Sequence, residues 1–204
     1  MTKMNRGRLI VFSAPSGCGK GTMLAEITKN EKFCCSVSAT TRDPREGEIP
    51  NVSYYYITKE EFLKKVEENA FLEHAKYVDN FYGTYLSEVE PRLEKGINVI
   101  LEIEVQGAMR VREARPDALL IFVLPPSIAE LRRRLNKRGT EKQEVIEKRV
   151  AQAKEEIEYA PKYDYVIVND ALEDAVDDFF SIIRAEELKA AKSGELINEV
   201  KKDA

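Results

Sequence analysis

The sequence predicts an α/β fold, in which a parallel sheet is covered on both faces by helices and interrupted by one inserted mixed α+β segment. Three observations predict it. Four short apolar runs each lead into a helical pattern, the first of those junctions is rich in glycine, and residues 38–88 break the alternation with Tyr, Ser, Thr, Gly and charge.

The elements follow in order. Arg8–Ser13 is a β-branched and aromatic run of the kind that forms a buried parallel strand. A glycine-rich turn follows, and then a helix with Met23, Leu24 and Ile27 on one face. Within the insertion, residues 52–57 read as a strand and Thr58 with Glu61 as the capping box of a short helix. The insertion reads as lying between the first and second core strands. Asn98–Ile103, Ala118–Leu124 and Tyr165–Val168 are the remaining apolar strands. Ser127 and Glu130 form a second capping box, while Asp170 and Glu173 mark the start of the last helix, with Leu172, Val176, Phe179 and Ile183 along one stripe. Residues 137–142 sit between two helices and read as a mobile loop, and the final ten residues as the frayed end of the last helix.

Composition excludes several function classes. Of 204 residues 43% are hydrophobic and 33% charged, as in a globular chain, and the net charge of −4 argues against coating nucleic acid or an anionic membrane. No apolar run is long enough to span a bilayer, and the first residues lack the apolar stretch of a secretory signal. Cys18, Cys34 and Cys35 are an odd count without metal-site spacing, and His74 is the lone histidine, so the thiols read as reduced and the chain as cytoplasmic. Nothing in the residues speaks to self-association.

Ala14, Pro15, Ser16, Gly17, Cys18, Gly19, Lys20, Gly21 and Thr22 are the sharpest feature. They follow a strand and open a helix, the context of a phosphate-binding loop. Gly17, Gly19 and Gly21 permit tight turns that aim successive N–H groups at one phosphate. The helix N-terminus adds partial positive charge there, and Lys20 a full one. The general pattern has Gly where Ala14 stands and Ser or Thr where Gly21 stands. Either Thr22 supplies the hydroxyl for magnesium, or water and substrate phosphates hold the ion. The competing reading is a glycine-rich turn with an incidental lysine.

The segment from Ser36 to Glu48, followed by Tyr54, resembles the nucleotide-acceptor segment of guanylate kinases, whose pattern is Ser-x-Thr-Thr-Arg-x-Pro-Arg-x-Gly-Glu and then a tyrosine. The resemblance covers residues 8–185 and takes in Tyr82-Gly-Thr84, the run from Leu101 to Gly107, Pro125-Pro-Ser127, Arg138-Gly-Thr140 and Val168-Asn-Asp170. It implies a P-loop kinase core of residues 1–37 and 89–204, a lid at 137–150, and a small nucleoside-monophosphate-binding domain at 38–88. It also implies transfer of the ATP γ-phosphoryl group to GMP, with Mg²⁺ as cofactor and dGMP as a second acceptor.

Arg42 and Arg45 flank Pro44 and can present two forked cations to one phosphate, with Tyr54 and Tyr82 as neutral donors. Read alone they are equally a solvated charged loop. The resemblance adds Glu48 to this acceptor site and makes Glu73 the carboxylate that accepts from guanine N1 and N2, with Ser38 and Thr84 completing base recognition. By itself Glu73 reads only as a charged residue ending a helix. Glu102 and Glu104 alternate with Ile103 at a strand end, on one face of the carboxyl edge, where open α/β sheets bind ligands. Which of them meets the acceptor or a magnesium-bound water is open, and a solvent-exposed pair is the alternative.

Between Ser127 and Arg149 eight Lys or Arg face four Glu. The resemblance makes Arg134, Arg138 and Arg149 catalytic arginines on and around the lid, adds Asn169 to the ATP contacts, and leaves Arg132 and Arg133 to a solvated helix face. Phosphoryl transfer needs such positioned charge more than covalent chemistry.

Three other functions compete. A GTPase should show Asn-Lys-x-Asp, but Asn136-Lys-Arg-Gly139 ends in Gly. A kinase for another phosphate acceptor should lack Ser38, Glu73 and Thr84. A catalytically inactive guanylate-kinase-like binding module typically loses the loop lysine or lid arginines, which are present here.

Overall fold

The computed structural model describes residues 6–77, 79–137, 143–190 and 194–202. The chain begins with β1 (Leu9–Ser13), α1 (Lys20–Ile27) and β2 (Phe33–Cys35). It continues through β3 (Ser38–Thr40), β4 (Tyr55–Tyr56), α2 (Lys59–Glu67), β5 (Phe71–Tyr77) and β6 (Asn80–Tyr85). α3 (Leu86–Glu94) leads back to β7 (Asn98–Glu102), α4 (Val105–Ala114) and β8 (Leu119–Leu124). Last come α5 (Ile128–Lys137), α6 (Gln143–Ile157), β9 (Tyr165–Val168), α7 (Leu172–Glu187) and α8 (Gly194–Lys202).

Among the described residues these strands form two sheets. The first has five parallel strands in the order β2-β7-β1-β8-β9. Its central strand β1 is buried at every position, because helices cover both faces. Alternation along the strands divides the core in two. Leu9, Val11, Val99, Leu101, Leu120 and Phe122 pack against Val89 and Leu93 of α3 and Val105, Ala108 and Val111 of α4. Ile10, Phe12, Ile100, Leu119 and Ile121 face Met23 and Ile27 of α1 and Phe179 and Ile183 of α7. A third cluster joins Cys18 to Leu131, Leu135, Ile146 and Val150, so the loop after β1 rests on α5 and α6.

The second sheet, β4-β3-β6-β5, is mixed: β3 runs parallel to β4 and antiparallel to β6, and β5 antiparallel to β6. Phe62 of α2, fully buried, packs on it with Phe71 and Ala39. Thr58 caps α2 in the expected capping box with Glu61.

Several sequence expectations are corrected. β2 is a core strand that precedes the insertion, which therefore lies between the second and third core strands in chain order. The strand expected at 52–57 shrinks to β4, because residues 51–53 turn, with Asn51 at φ 65°. Glu73 lies in strand β5, not at a helix end. β7 stops at Glu102, and Glu104 becomes the N-cap of α4, so the two carboxylates do not alternate on one strand. Ala171, not Asp170, is the N-cap of α7. The final residues form the separate helix α8 instead of fraying from α7. Lys137 ends α5, and the remainder of the expected loop, residues 138–142, lies outside the described residues. No helix among the described residues is long and apolar enough to cross a membrane.

Candidate active site

A cleft of about 660 Å³ opens at the carboxyl edge of the five-stranded sheet and extends to the face of the second sheet. Its floor is the loop from Ala14 to Thr22. Gly17 (φ 97°) and Gly19 (φ 81°) hold left-handed conformations that an L side chain adopts only under strain, and Gly19 caps α1. Gly19 also has no room for a side chain: an added Cβ would stand 2.4 Å from Asn169 Nδ2. That amide donates to the Cys18 carbonyl at 2.7 Å, so Asn169, buried, fastens the loop to the end of β9. The Cys18 side chain points away into the core, where burial pushes its thiol up to about 12. Lys20 Nζ lies 3.7 Å from Glu102 Oε1. Beside Gly21 the space is open, with no atom within 4 Å of an added Cβ, and Thr22 is exposed on the same wall.

Glu104 and Glu156 share that wall. Burial of its carboxyl against the cleft, then repulsion from Glu156, raises Glu104 to about 7 against the pull of Lys20. Glu156 is raised as well, by burial first. It belongs to a face of α6 on which Arg149, Gln152 and Glu156 recur at helical spacing and all line the cleft.

The opposite wall holds the cluster around Arg42. Its Nη2 donates to both oxygens of Glu48, at 2.8 and 3.0 Å, and its guanidinium lies 5.6 Å from the centre of the Tyr54 ring. Glu48 also accepts from the Arg45 amide and the Tyr56 hydroxyl, both at 2.7 Å. The Arg42 bond, then these two, holds Glu48 down at about 2. The carboxylate thus fixes Arg42 in place while the exposed Arg45 guanidinium lines the cleft. Tyr82 bonds the Arg42 side chain and packs on Tyr54 with ring centres 6.1 Å apart.

Deeper on the second sheet, register places Ser38, Thr84 and Glu73 in one row across β3, β6 and β5. A bulge between Phe71 and Glu73 sets this row, since pairing slips by one residue there. Thr84 Oγ1 donates to Glu73 Oε1 at 2.8 Å and lies 3.3 Å from Ser38 Oγ. Glu73 is 6% exposed, and burial raises its pKa against the pull of the Thr84 side chain and amide. Its carboxylate lines the cleft with few protein partners, in position to accept hydrogen bonds from a planar base.

Of the residues singled out from sequence, the cleft is lined by the whole loop from Ala14 to Thr22, and by Ser38, Arg42, Arg45, Glu48, Tyr54 and Glu73. Tyr82, Glu102, Glu104 and Arg149 line it too. Thr84 stands just behind Glu73. Arg134 is set back: its Nε donates to Glu130 and its Nη1 to the Asn169 carbonyl at 2.9 Å, beneath the loop. Asn169 likewise serves the loop backbone. Arg138 lies outside the described residues. Sequence reasoning passed over Gln106, Gly107, Gln152 and Glu156, all in the lining. The spacing of Gln152 and Glu156 from Arg149 on one helix face is the signal that could have found those two.

Comparison with known proteins places the chain in a family. The guanylate kinase family model matches residues 6–186. A guanylate kinase of Clostridium tetani is 52% identical over 186 residues, covering 91% of this chain and 89% of that one. One from Thermus thermophilus is 48% identical over 192 residues, covering 94% and 87%. Among solved structures, the guanylate kinase from Anaplasma phagocytophilum superposes with a TM-score of 0.76 at 34% identity, over 92% of this chain and 90% of that one. With a matching family model over most of its length, and relatives this similar end to end, the chain belongs to the guanylate kinase family.

Proposed function

We propose that the chain transfers the γ-phosphoryl group of ATP to GMP, yielding ADP and GDP, with dGMP as a second acceptor, in the cytoplasm. The observation that carries this reading is the cleft itself. A phosphate loop with its lysine forms the floor, and a paired-arginine pocket with one buried carboxylate, Glu73, lies on the opposite wall.

The ATP phosphates lie along the loop amides and Lys20. The GMP phosphate sits between Arg42, Arg45, Tyr54 and Tyr82, and guanine lies over the second sheet. There ionised Glu73 accepts from N1–H and N2–H₂, while Thr84 keeps its other oxygen occupied. Adenine offers no donor at N1, so it would leave the buried carboxylate's second oxygen unpaired, a penalty of about 10⁴-fold by analogy with sites built to pair a polar group. A GMP phosphate oxygen then attacks the γ-phosphorus in line as the bond to the β-bridging oxygen breaks, and ADP leaves with that oxygen. Positive charge from Lys20 and Arg149 offsets the negative charge spread over the migrating group.

The oxygen donors Thr22 and Glu102, beside the open space at Gly21, fit a hard cation such as Mg²⁺. When bound, the ion neutralises the β- and γ-phosphate oxygens. Among the described residues no group of three or more His, Cys, Asp or Glu is placed to hold a metal, and Thr22 would be the side-chain hydroxyl nearest such an ion.

The insertion at 38–88 works as the acceptor-binding unit and moves against the core, with 137–150 as the lid. Closure excludes water and protects ATP from hydrolysis. A coupled assay of ATP with GMP, AMP, CMP and UMP tests the reading. Turnover with GMP and none above background with AMP is expected, and comparable rates with AMP would refute it.

A further inference from the structure

Glu73 reaches the cleft from β5, but the surface beneath its carboxylate belongs to the core helix α4. A Cβ added to Gly107, in the first turn of α4, would stand 3.0 Å from Glu73 Oε2 and 3.4 Å from Ile103 Cδ1. At that distance the Glu73 carboxylate must give by a few tenths of an ångström, which its bond to Thr84 resists, and Gly107 is buried. Its backbone is helical, with no left-handed torsion to require glycine, and a helix interior otherwise favours alanine. Three residues along, on the same face of α4, Arg110 donates to the carbonyl of His74, the neighbour of Glu73.

We infer that Gly107 and Arg110 are positioning residues for guanine selection, α4 being the backstop that fixes where the Glu73 carboxylate meets the base. The inference rests on the reading of Glu73 as guanine acceptor. Thr84 ties down Oε1, the bulge in β5 aims the side chain, and the bare first turn of α4 sets the limit for Oε2. The same turn lies at the positive end of the helix dipole, which favours the ionised carboxylate that guanine needs. Arg110 adds a cation beside it and locks β5 to α4 by its backbone. Selection of the base is thereby built partly from the core, across the gap between the two sheets.

Kinetics of the intact chain bearing Gly107→Ala, Glu73→Gln, both together, or Arg110→Ala test this. Gly107→Ala should raise KM for GMP about tenfold while KM for ATP and kcat at saturating GMP stay within about twofold. Its melting temperature should change little, the helix preference for alanine offsetting the crowding at Glu73, whereas a merely structural lesion would lower it. In the Glu73→Gln background the same change should move KM for GMP by less than about twofold, because it acts through the carboxylate. Arg110→Ala, at an exposed position, should raise KM for GMP about threefold and leave ATP alone. Unchanged KM for GMP in Gly107→Ala, with Glu73→Gln impaired, overturns the role of α4 and leaves Glu73 as the acceptor. An equal effect of Gly107→Ala in both backgrounds overturns it too. Unimpaired GMP use by Glu73→Gln overturns the reading of Glu73 and this role with it.

Discussion

Among single residues, Glu104 gives the clearest physical forecast. Its carboxyl is raised to about 7, by burial against the cleft and then by Glu156, although the side chain still reaches solvent. An acid whose folded pKa exceeds its unfolded value binds its proton more tightly when folded, so stability is full below about pH 4.5 and is lost as pH rises through about 7. Discounted for solvent exposure, the loss is about 1 kcal/mol. Glu104→Gln should therefore melt about 2–4 °C above the parent at pH 8 and match it at pH 4.5. A difference that does not change with pH would show that the carboxyl is not strained. This strain was invisible in the sequence, where Glu104 resembled an alternate strand residue, because the end of β7 and the proximity of Glu156 are tertiary facts. Lys20 was legible, since a glycine-rich junction between strand and helix states its own chemistry. Glu73 was legible only through resemblance: nothing in the spacing around it announces a bulge.

At the scale of elements, the junction of β9 with the phosphate loop should behave as a single unit. Asn169 donates to the Cys18 carbonyl and its own carbonyl takes Arg134, while Cys18 packs on α5 and α6. Asn169→Ala leaves a buried carbonyl without this partner, at a cost of about 2 kcal/mol. The melting temperature should drop about 4–8 °C, and KM for ATP should rise while KM for GMP holds. An unchanged melting curve would mean the loop stands without that bond. Asn169 entered as a nucleotide contact only through resemblance, and its side chain instead holds the loop backbone. The apolar strands β1, β7 and β8 were legible for a simple reason: strands covered on both faces read as continuous hydrophobic runs, and the edge strand β9, though Val166 and Val168 are exposed, keeps the same apolar composition. β2 and β3, three residues each, carry too little pattern to be seen and exist through their sheet partners, while β4 is the remnant of the strand read at 52–57.

For the whole molecule, the fold class was readable and the layout of the cleft was not, since two sheets meeting across it leave no trace in periodicity. On the proposed function, the two-sheet arrangement implies a division of labour: ATP on the five-stranded sheet and its loop, and GMP on the four-stranded sheet. Transfer needs the reacting atoms about 3–3.5 Å apart, so under that proposal the sheets would close on one another after both nucleotides enter. The return path runs through α3, which carries Pro91 in its interior and so lacks one backbone hydrogen bond where bending is easiest. Hydrogen exchange measured with each nucleotide alone tests the division most directly. GMP alone should slow exchange in β3, β5 and β6 and leave residues 14–24 unchanged, while a non-hydrolysable ATP analogue should do the reverse. Protection of residues 14–24 by GMP, with β3, β5 and β6 unaffected, would contradict it.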